Sequence, residues 1–392
     1  METLAIESLA VQVRGVSYKP EDLHSSLDDS SVILLRANNI DDGIINFDDV
    51  VFVDKKRVSN EQFLRKGDIL VCASSGSKNL VGKAARVGFD KEVTFGAFCK
   101  VVRPRNIEDA DYLAMFFQSP VYRREITAAA IGANINNIRN EHIDALPVKW
   151  PATVKRSEIV NVLYRAESII RTRKQQLSAL DDLIKARFVE MFGERGKQVP
   201  LKDYVWFQEG PGVRSVDFTS DGTILLTGSN INDNKITFGY KSDRFISNEL
   251  ANGKYSHFIC DVDDILVVSS AIDPSKFDKK VTIVREDKKY CLNTGIIRFK
   301  PKKEYLTLGY FREFLKTDYF KHQVMEEMRG IAQMHFGPSH LKEMTILLPE
   351  SLGDQVEFER FVSQIDKSKS VIQKSLDETQ LLFDSLMQKY FG

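Results

Sequence analysis

Two stretches of the chain repeat one another at an offset of about 197 residues, which forces any fold to be built twice from one order of elements. Ile33-Leu34-Leu35-Arg36-Ala37-Asn38-Asn39-Ile40 returns as Ile224-Leu225-Leu226-Thr227-Gly228-Ser229-Asn230-Ile231, and each is followed by a Phe, at 47 and 238. Gly67-Asp68-Ile69-Leu70-Val71 returns as Asp263-Asp264-Ile265-Leu266-Val267, and Val101-Val102-Arg103-Pro104 as Arg298-Phe299-Lys300-Pro301. Gly132 and His142 correspond to Gly330 and His340, and the copies close on Phe192-Gly193 and Phe391-Gly392. The repeat predicts four segments: a β-rich unit over 1–150, a helical tail over 151–193, a second unit over 194–350 and a second tail over 351–392.

Within each unit, short β-branched and aliphatic runs separated by Gly, Asn, Asp and Ser clusters predict strands. They cover Val32–Leu35, Val50–Val53, Ile69–Cys72 and Ala97–Val102 in the first copy, and Thr223–Leu226, Ile265–Val268, Val281–Val284 and Ile296–Phe299 in the second. A helix follows in each, over Ala110–Ser119 and Tyr305–Lys316, which gives an α+β domain twice. The tails carry a different period. Leu163, Ile170, Leu177, Ile184 and Met191 recur every seven residues, with Phe188 on the same stripe and no Pro or Gly from Ser157 to Phe192. Val362, Ile365, Ile372, Leu376 and Phe383 continue a similar stripe from Asp354 to Phe391. Such a helix is a rod of ~54 Å, too long and too polar outside for the interior of a compact domain. One heptad helix alone reads as a generic dimeriser. Two, each closing a repeated unit, favour pairing with one another in a coiled coil.

Composition narrows the chemistry. Lys and Arg balance Asp and Glu at 55 each, and the net charge of the four segments lies between −2 and +3, so phosphate binding requires local clusters or a basic partner. Cys72, Cys99, Cys260 and Cys291 form no CxxC pair and fit reduced, buried thiols. No apolar run reaches the ~18 residues of a spanning helix, and the acidic start does not resemble a signal peptide, which predicts a cytoplasmic protein without membrane contact. Gly76 to Ala84 only superficially suggests a P-loop: five residues rather than four precede Gly82-Lys83, and Ala84 replaces the metal-binding hydroxyl residue. A Rossmann turn, an Asn-Pro-Pro-aromatic segment and paired histidine ligands are absent, and Glu286-Asp287-Lys288 reads as a solvated turn. No catalytic residue and no metal site are therefore expected.

What remains is two polar, basic loops per unit. Ser74, Ser75, Ser77, Lys78, Asn79, Lys83 and Arg86 crowd one loop of the first copy; Asn136, Asn137 and Arg139 crowd the other, with Arg36 and Asn38 as further candidates. The second copy offers Ser269, Ser270, Ser275, Lys276, Lys279 and Lys280, then Gln333 and His335. Ser, Lys and Arg suit phosphates, while Asn and Arg suit base edges. Asn and Ser are equally ordinary turn residues, so the loops alone leave open a scaffold with two ligand-binding β domains and an oligomerising stalk.

The arrangement resembles the specificity subunit of type I restriction-modification systems across essentially the whole chain. The resemblance is carried by Lys66-Gly67-Asp68-Ile69-Leu70-Val71, leading through Ser74-Ser75-Gly76-Ser77 to Val81-Gly82-Lys83-Ala84. Leu146-Pro147 and Leu348-Pro349, ahead of helices that end at Phe188–Gly193 and Leu386–Gly392, carry it further. It implies two target-recognition domains held apart by two antiparallel helices with a pseudo-two-fold repeat. Each domain would read half of a split double-stranded DNA target, and the helices would dock methyltransferase subunits, two by symmetry. Restriction subunits would join through the complex, with S-adenosylmethionine and ATP bound by partners rather than by this chain. A paired rod of ~54 Å would hold the readers about one and a half DNA turns apart, at ~34 Å per turn. Two departures stand out: Ala271-Ile272-Asp273-Pro274-Ser275 replaces the Gly-Ser character of the first loop, and the family's Pro-x-x-x-Glu-Gln lead into the helix is blurred at Pro151–Glu158 and Pro349–Gln355.

Overall fold

A computed structural model of the chain describes residues 2–41, 43–76, 80–131, 137–193, 195–239, 241–270, 274–327 and 335–392, with 130, 131, 274, 275 and 327 described by backbone alone. The chain forms two compact units, residues 1–175 with 373–392, and residues 176–372. Each unit therefore combines the beginning of one long helix with the end of the other.

In the first unit, an antiparallel sheet runs in the order Ala10–Arg14, Cys99–Pro104, Ile69–Cys72, Ala84–Arg86. Its central Ile-Leu-Val-Cys strand is buried on both faces, which explains its unbroken apolar run. A second sheet, Leu23–His24, Val51–Asp54, Ser31–Leu35, Val93–Phe95, ends in a parallel pair. The second unit repeats both layers. Val205–Glu209, Ile296–Pro301, Ile265–Val268 and Val281–Ile283 form the antiparallel sheet. Phe218–Thr219, Arg244–Ile246, Thr223–Leu226 and Tyr290–Leu292 form the other, again with a parallel last pair. A small pairing closes each unit, Glu2–Ala5 with Pro147–Trp150 and Lys197–Pro200 with Thr345–Leu348.

Register shows that the copies are equivalent residue by residue. Ile69 lies opposite Val102, and Ile265 opposite Phe299. Asp68 is buried and takes a two-pronged contact from Arg103, with Nε to Oδ1 and Nη2 to Oδ2 both at 2.8 Å. In the second unit Asp264 is held by Arg298 at 3.2 Å and by Lys300, the register equivalent of Arg103, at 3.3 Å. Asn39 and Asn230, both fully buried, each accept a backbone N–H three residues back, from Arg36 at 2.8 Å and Thr227 at 2.9 Å. These groups satisfy buried donors and acceptors that would otherwise cost ~1–3 kcal/mol each.

Several element ends differ from the expected ones, two of them for a visible reason. The strand expected from Ala97 begins at Cys99, because Gly96–Cys99 closes a turn through Cys99 N to Gly96 O at 2.8 Å. The helix expected from Tyr305 begins at Leu308, where the Thr307 side chain accepts from Tyr310 N. Sequence reasoning missed the helix Pro120–Ile131, although Ser119 accepts from Tyr122 N at 3.1 Å and Pro120 takes the first position, a standard helix start.

The long helices span Thr153–Phe188 and Leu352–Phe391. In the first unit, Ile159, Val160 and Leu163 share a core with Met387 and Phe391, whose ring lies 5.2 Å from Tyr112. In the second, Ile184, Phe188 and Val362 share one with Phe192, whose ring lies 4.9 Å from Tyr310. A π-helical turn, Val189–Gly193, ends the first long helix and places Phe192 there. Cross-helix ion pairs in the second unit, Asp181 with Lys369 at 2.5 Å and Arg187 with Glu357 at 3.1 Å, run in opposite numerical order, which is antiparallel pairing. Along the expected seam Ile170 is buried, Ile365 packs partly buried on the second unit's core, and Leu177, Ile372 and Leu376 are half-buried; Phe383 packs on the first unit's core. No helix among the described residues is long and apolar enough to cross a membrane.

Candidate nucleic-acid interface

The two polar loops of each unit, far apart in sequence, are joined by the same backbone device. In the first unit Ala73 N and Ser74 N both donate to Phe98 O, at 2.9 and 3.0 Å, and Ile138 N donates to Ala73 O at 2.7 Å. Ser74 thereby pairs antiparallel with Asn137. In the second unit Ser269 N donates to Gly295 O at 2.8 Å, Phe336 N donates to Ser269 O at 3.0 Å, and Ser270 pairs with His335. Ile138 and Phe336 anchor the joints in the core, which fixes Asn137 and His335 at the surface. Just beyond, His142 Nδ1 accepts from Arg139 N at 3.2 Å and His340 Nδ1 accepts from Gly337 N at 3.0 Å, so both repeat-matched histidines cap a short helix.

The expected contact residues separate into three groups. Ser74, Ser75, Asn137 and Arg139 come together in the first unit; Arg139 is exposed and 3.3 Å from Glu141. Ser270 and His335 come together in the second, and Lys276 and Lys279 are exposed on the 3-10 helix Pro274–Lys279, with Lys279 3.7 Å from Asp233. Lys83 is half-exposed, 3.9 Å from Asp41. Arg36 and Asn38 both turn onto the exposed Asp49 carboxylate, at 2.9 and 2.8 Å, so a phosphate there would have to displace it.

A second group is engaged within the fold. Arg86 is ion-paired with Asp111, which also accepts from Tyr164 at 2.9 Å; the pair ties the strand Ala84–Arg86 to the helix Ala110–Gln118. Lys280 donates to the carbonyls of Gly228 and Ile231 and to the Asn232 side chain, at 3.3, 2.7 and 2.7 Å, and burial pulls its ammonium pKa down. Ser269 is fully buried. The third group, Ser77, Lys78, Asn79, Asn136 and Gln333, lies outside the described residues, as does the Ser275 side chain.

Three residues at the joint escaped sequence reasoning. Phe98 is 70% exposed, and reading its turn as a strand hid this. Arg14 lies directly opposite Lys100 on the antiparallel ladder, a pairing of two cations that no local pattern reveals. Lys100 Nζ donates to Asn140 Oδ1 at 2.5 Å; burial lowers its pKa, with Asp144 opposing and Arg14 adding to the effect. The equivalent ladder position in the second unit holds Glu209 opposite Ile297, and Glu209 lies 3.6 Å from His335 Nε2. The chemistry at this face is that of hydrogen-bond donors, cations and one exposed ring. All four cysteines are buried free thiols, with burial raising those of Cys72 and Cys291 to about 11. Among the described residues no group of three His, Cys, Asp or Glu could hold a metal ion.

Comparison with known proteins gives a consistent result. Residues 197–379 match the family described as "Type I restriction modification DNA specificity domain". The StySPI specificity subunit of Salmonella potsdam is 27% identical over 98% of this chain and 86% of its own length. The EcoKI specificity subunit of Escherichia coli (strain K12) is 36% identical over 47% of this chain and 38% of its own. The fold is shared with the S subunit of the type I restriction-modification system from M. genitalium, at TM-score 0.53 and 15% identity over 100% of this chain and 96% of that one. A chain from a structural study of type I system assembly and conformational transition matches at TM-score 0.54 and 12% identity, over 100% of this chain and 97% of its own.

Proposed function

We propose that the chain is a specificity subunit of a type I restriction-modification system, like the relatives it matches, and that its two units each read one half of a split double-stranded DNA target. The observation that carries this reading is the duplicated joint: twice, the fold brings two polar loops of distant sequence to one surface and fixes their register with backbone hydrogen bonds. A rigid backbone carrying exposed Asn, Ser, His and Arg is what base readout requires, since phosphate contacts position a protein and base-edge contacts specify the sequence.

The chain's own task is selection rather than bond-making. Methylation and cleavage belong to methyltransferase and restriction subunits, which bind S-adenosylmethionine and ATP. The long helices are the docking surface for two methyltransferase subunits. They leave Val371, Leu381 and Leu382 exposed, and a groove of about 450 Å³ opens between Ala186, Arg187, Arg360 and Phe361 in the second unit. Because the chain is electrically neutral overall, much of the positive potential along the DNA comes from those partners.

The test is to map methylated positions in host DNA with and without this chain, after co-purification with its methyltransferase partner. One split motif that vanishes on deletion is the expected result, together with DNA affinity that falls steeply as salt rises. Unchanged methylation, or failure to co-purify, would overturn the assignment.

A further inference from the structure

We propose that Phe98 is a base-contacting residue of the first half-site, placing its ring against a thymine methyl group or the face of an unstacked base. The inference rests on the DNA-recognition reading above and adds to it a specificity residue found in one unit alone. Phe98 is the most exposed aromatic side chain among the described residues, at 70%, and it belongs to none of the apolar clusters. Its position is nonetheless fixed. It sits in the Gly96–Cys99 turn, Ala97 N is held by Val16 O at 2.9 Å, and the Phe98 carbonyl is the acceptor that docks Ala73 and Ser74. The ring is thus carried on the atom group that joins the two polar loops.

The scaffold does not need an aromatic residue there. The same turn in the second unit, Asn293–Ile296, closes through Ile296 N to Asn293 O and carries Gly295 at the equivalent position. Gly295 has φ +82°, and a Cβ would lie 2.9 Å from that of Ser270, so the second unit excludes any side chain. The ring is therefore surplus to folding and confined to one reader. Its neighbours supply the complementary chemistry: Ser74, Asn137 and Arg139 offer donors, and Asn suits adenine while an apolar group suits the methyl of the paired thymine. Apolar side chains inserted between bases offer the related contact to a base face.

The experiment uses the full chain with its methyltransferase partner and a duplex carrying the mapped motif. Phe98→Ala is expected to weaken specific binding roughly 10- to 100-fold and to relax one position of the first half-site, leaving the second half-site intact. The salt dependence should not change, because no phosphate contact is lost. Replacing thymine by uracil at that position reproduces the loss if the methyl is the partner; if Phe98→Leu causes the loss and uracil does not, the partner is a base face. Wild-type affinity and motif in Phe98→Ala, or an equal loss on non-specific DNA, would overturn the proposal while leaving the recognition function standing. Absence of any split motif with the wild-type chain would instead remove both. An unchanged melting temperature for Phe98→Ala excludes a folding defect as the cause of its loss.

Discussion

Where the polar loops are joined, the first unit has Ser74, Asn137, Phe98, Arg14 and Lys100, whereas the second has Ser270, His335 and Glu209, with Gly295 and Ile297 buried at the positions of Phe98 and Lys100. Behind this surface the two units agree closely. Each buries an Asp just ahead of the central strand under an Arg, each buries an Asn that closes a 3-10 turn, and each uses a His to cap the helix after the second loop. Tyr112 and Tyr310 each donate a hydroxyl hydrogen bond to a strand carbonyl while packing against the terminal Phe of a long helix. After duplication, the residues that satisfy buried backbone and charge stayed alike in role, and the residues facing solvent did not. That is the division expected of one scaffold used for two targets.

The shared frame is the part easiest to break. Asp68→Ala and Asp264→Ala each strip a buried cation of its carboxylate, and each should cost about 3–5 kcal/mol. Trp150 lies in the first unit and Trp206 in the second, so urea unfolding followed by fluorescence in Trp206→Phe and Trp150→Phe backgrounds reads the units separately. A loss below about 1 kcal/mol in either unit would mean that its Asp is not part of a common frame.

Acid should act on the second unit through a buried carboxylate that the first unit lacks at the matching helix position. Glu313 is buried in the second unit, where the first unit has the apolar Met115 on the matching helix. Burial opposes its ionisation, but Lys316 at 3.1 Å and Arg312 at 2.6 Å outweigh that and hold its carboxyl below the usual range. A lowered folded pKa adds stability above the unfolded value of ~4.3 and forfeits it as pH falls through the folded one. Protonation of Glu313 is therefore expected to remove stability from the second unit as pH falls below about 4.3. Glu313→Gln should lower its stability at pH 7 and flatten the acid limb, as monitored through Trp206. An acid limb unchanged by Glu313→Gln would place the sensitivity elsewhere.

The same contrast explains what the sequence made legible. Strands such as Ile69–Cys72 and Ile265–Val268 announce themselves because burial on both faces demands an unbroken apolar run, and the long helices do so by their seven-residue period. The repeat located the polar loops of both units. Occupancy of individual cations was not legible, because Arg86 finds Asp111 and Lys280 finds the Gly228 and Ile231 carbonyls through tertiary contacts that local pattern does not encode. Phe98 was hidden for a related reason: one hydrogen bond, Cys99 N to Gly96 O, turns an apparent strand residue outward.

The smallest expected effect is the sharpest probe of how the surfaces diverged. Arg14 is exposed and directly opposite Lys100, and like charges at such a ladder pair destabilise a sheet by a few tenths of a kcal/mol, up to about 1. A cation kept there at a cost to the fold is expected to contribute elsewhere, and DNA phosphate is the anion it would meet under the proposed function. Arg14→Gln should then raise the unfolding free energy slightly while weakening DNA affinity evenly across sequences and reducing the salt slope by about 1. Glu209→Gln in the second unit, which removes an anion from the equivalent position, should strengthen binding and leave the slope nearly unchanged. Opposite signs on stability and affinity for Arg14→Gln identify a charge retained for binding; a loss of both would identify an ordinary structural residue.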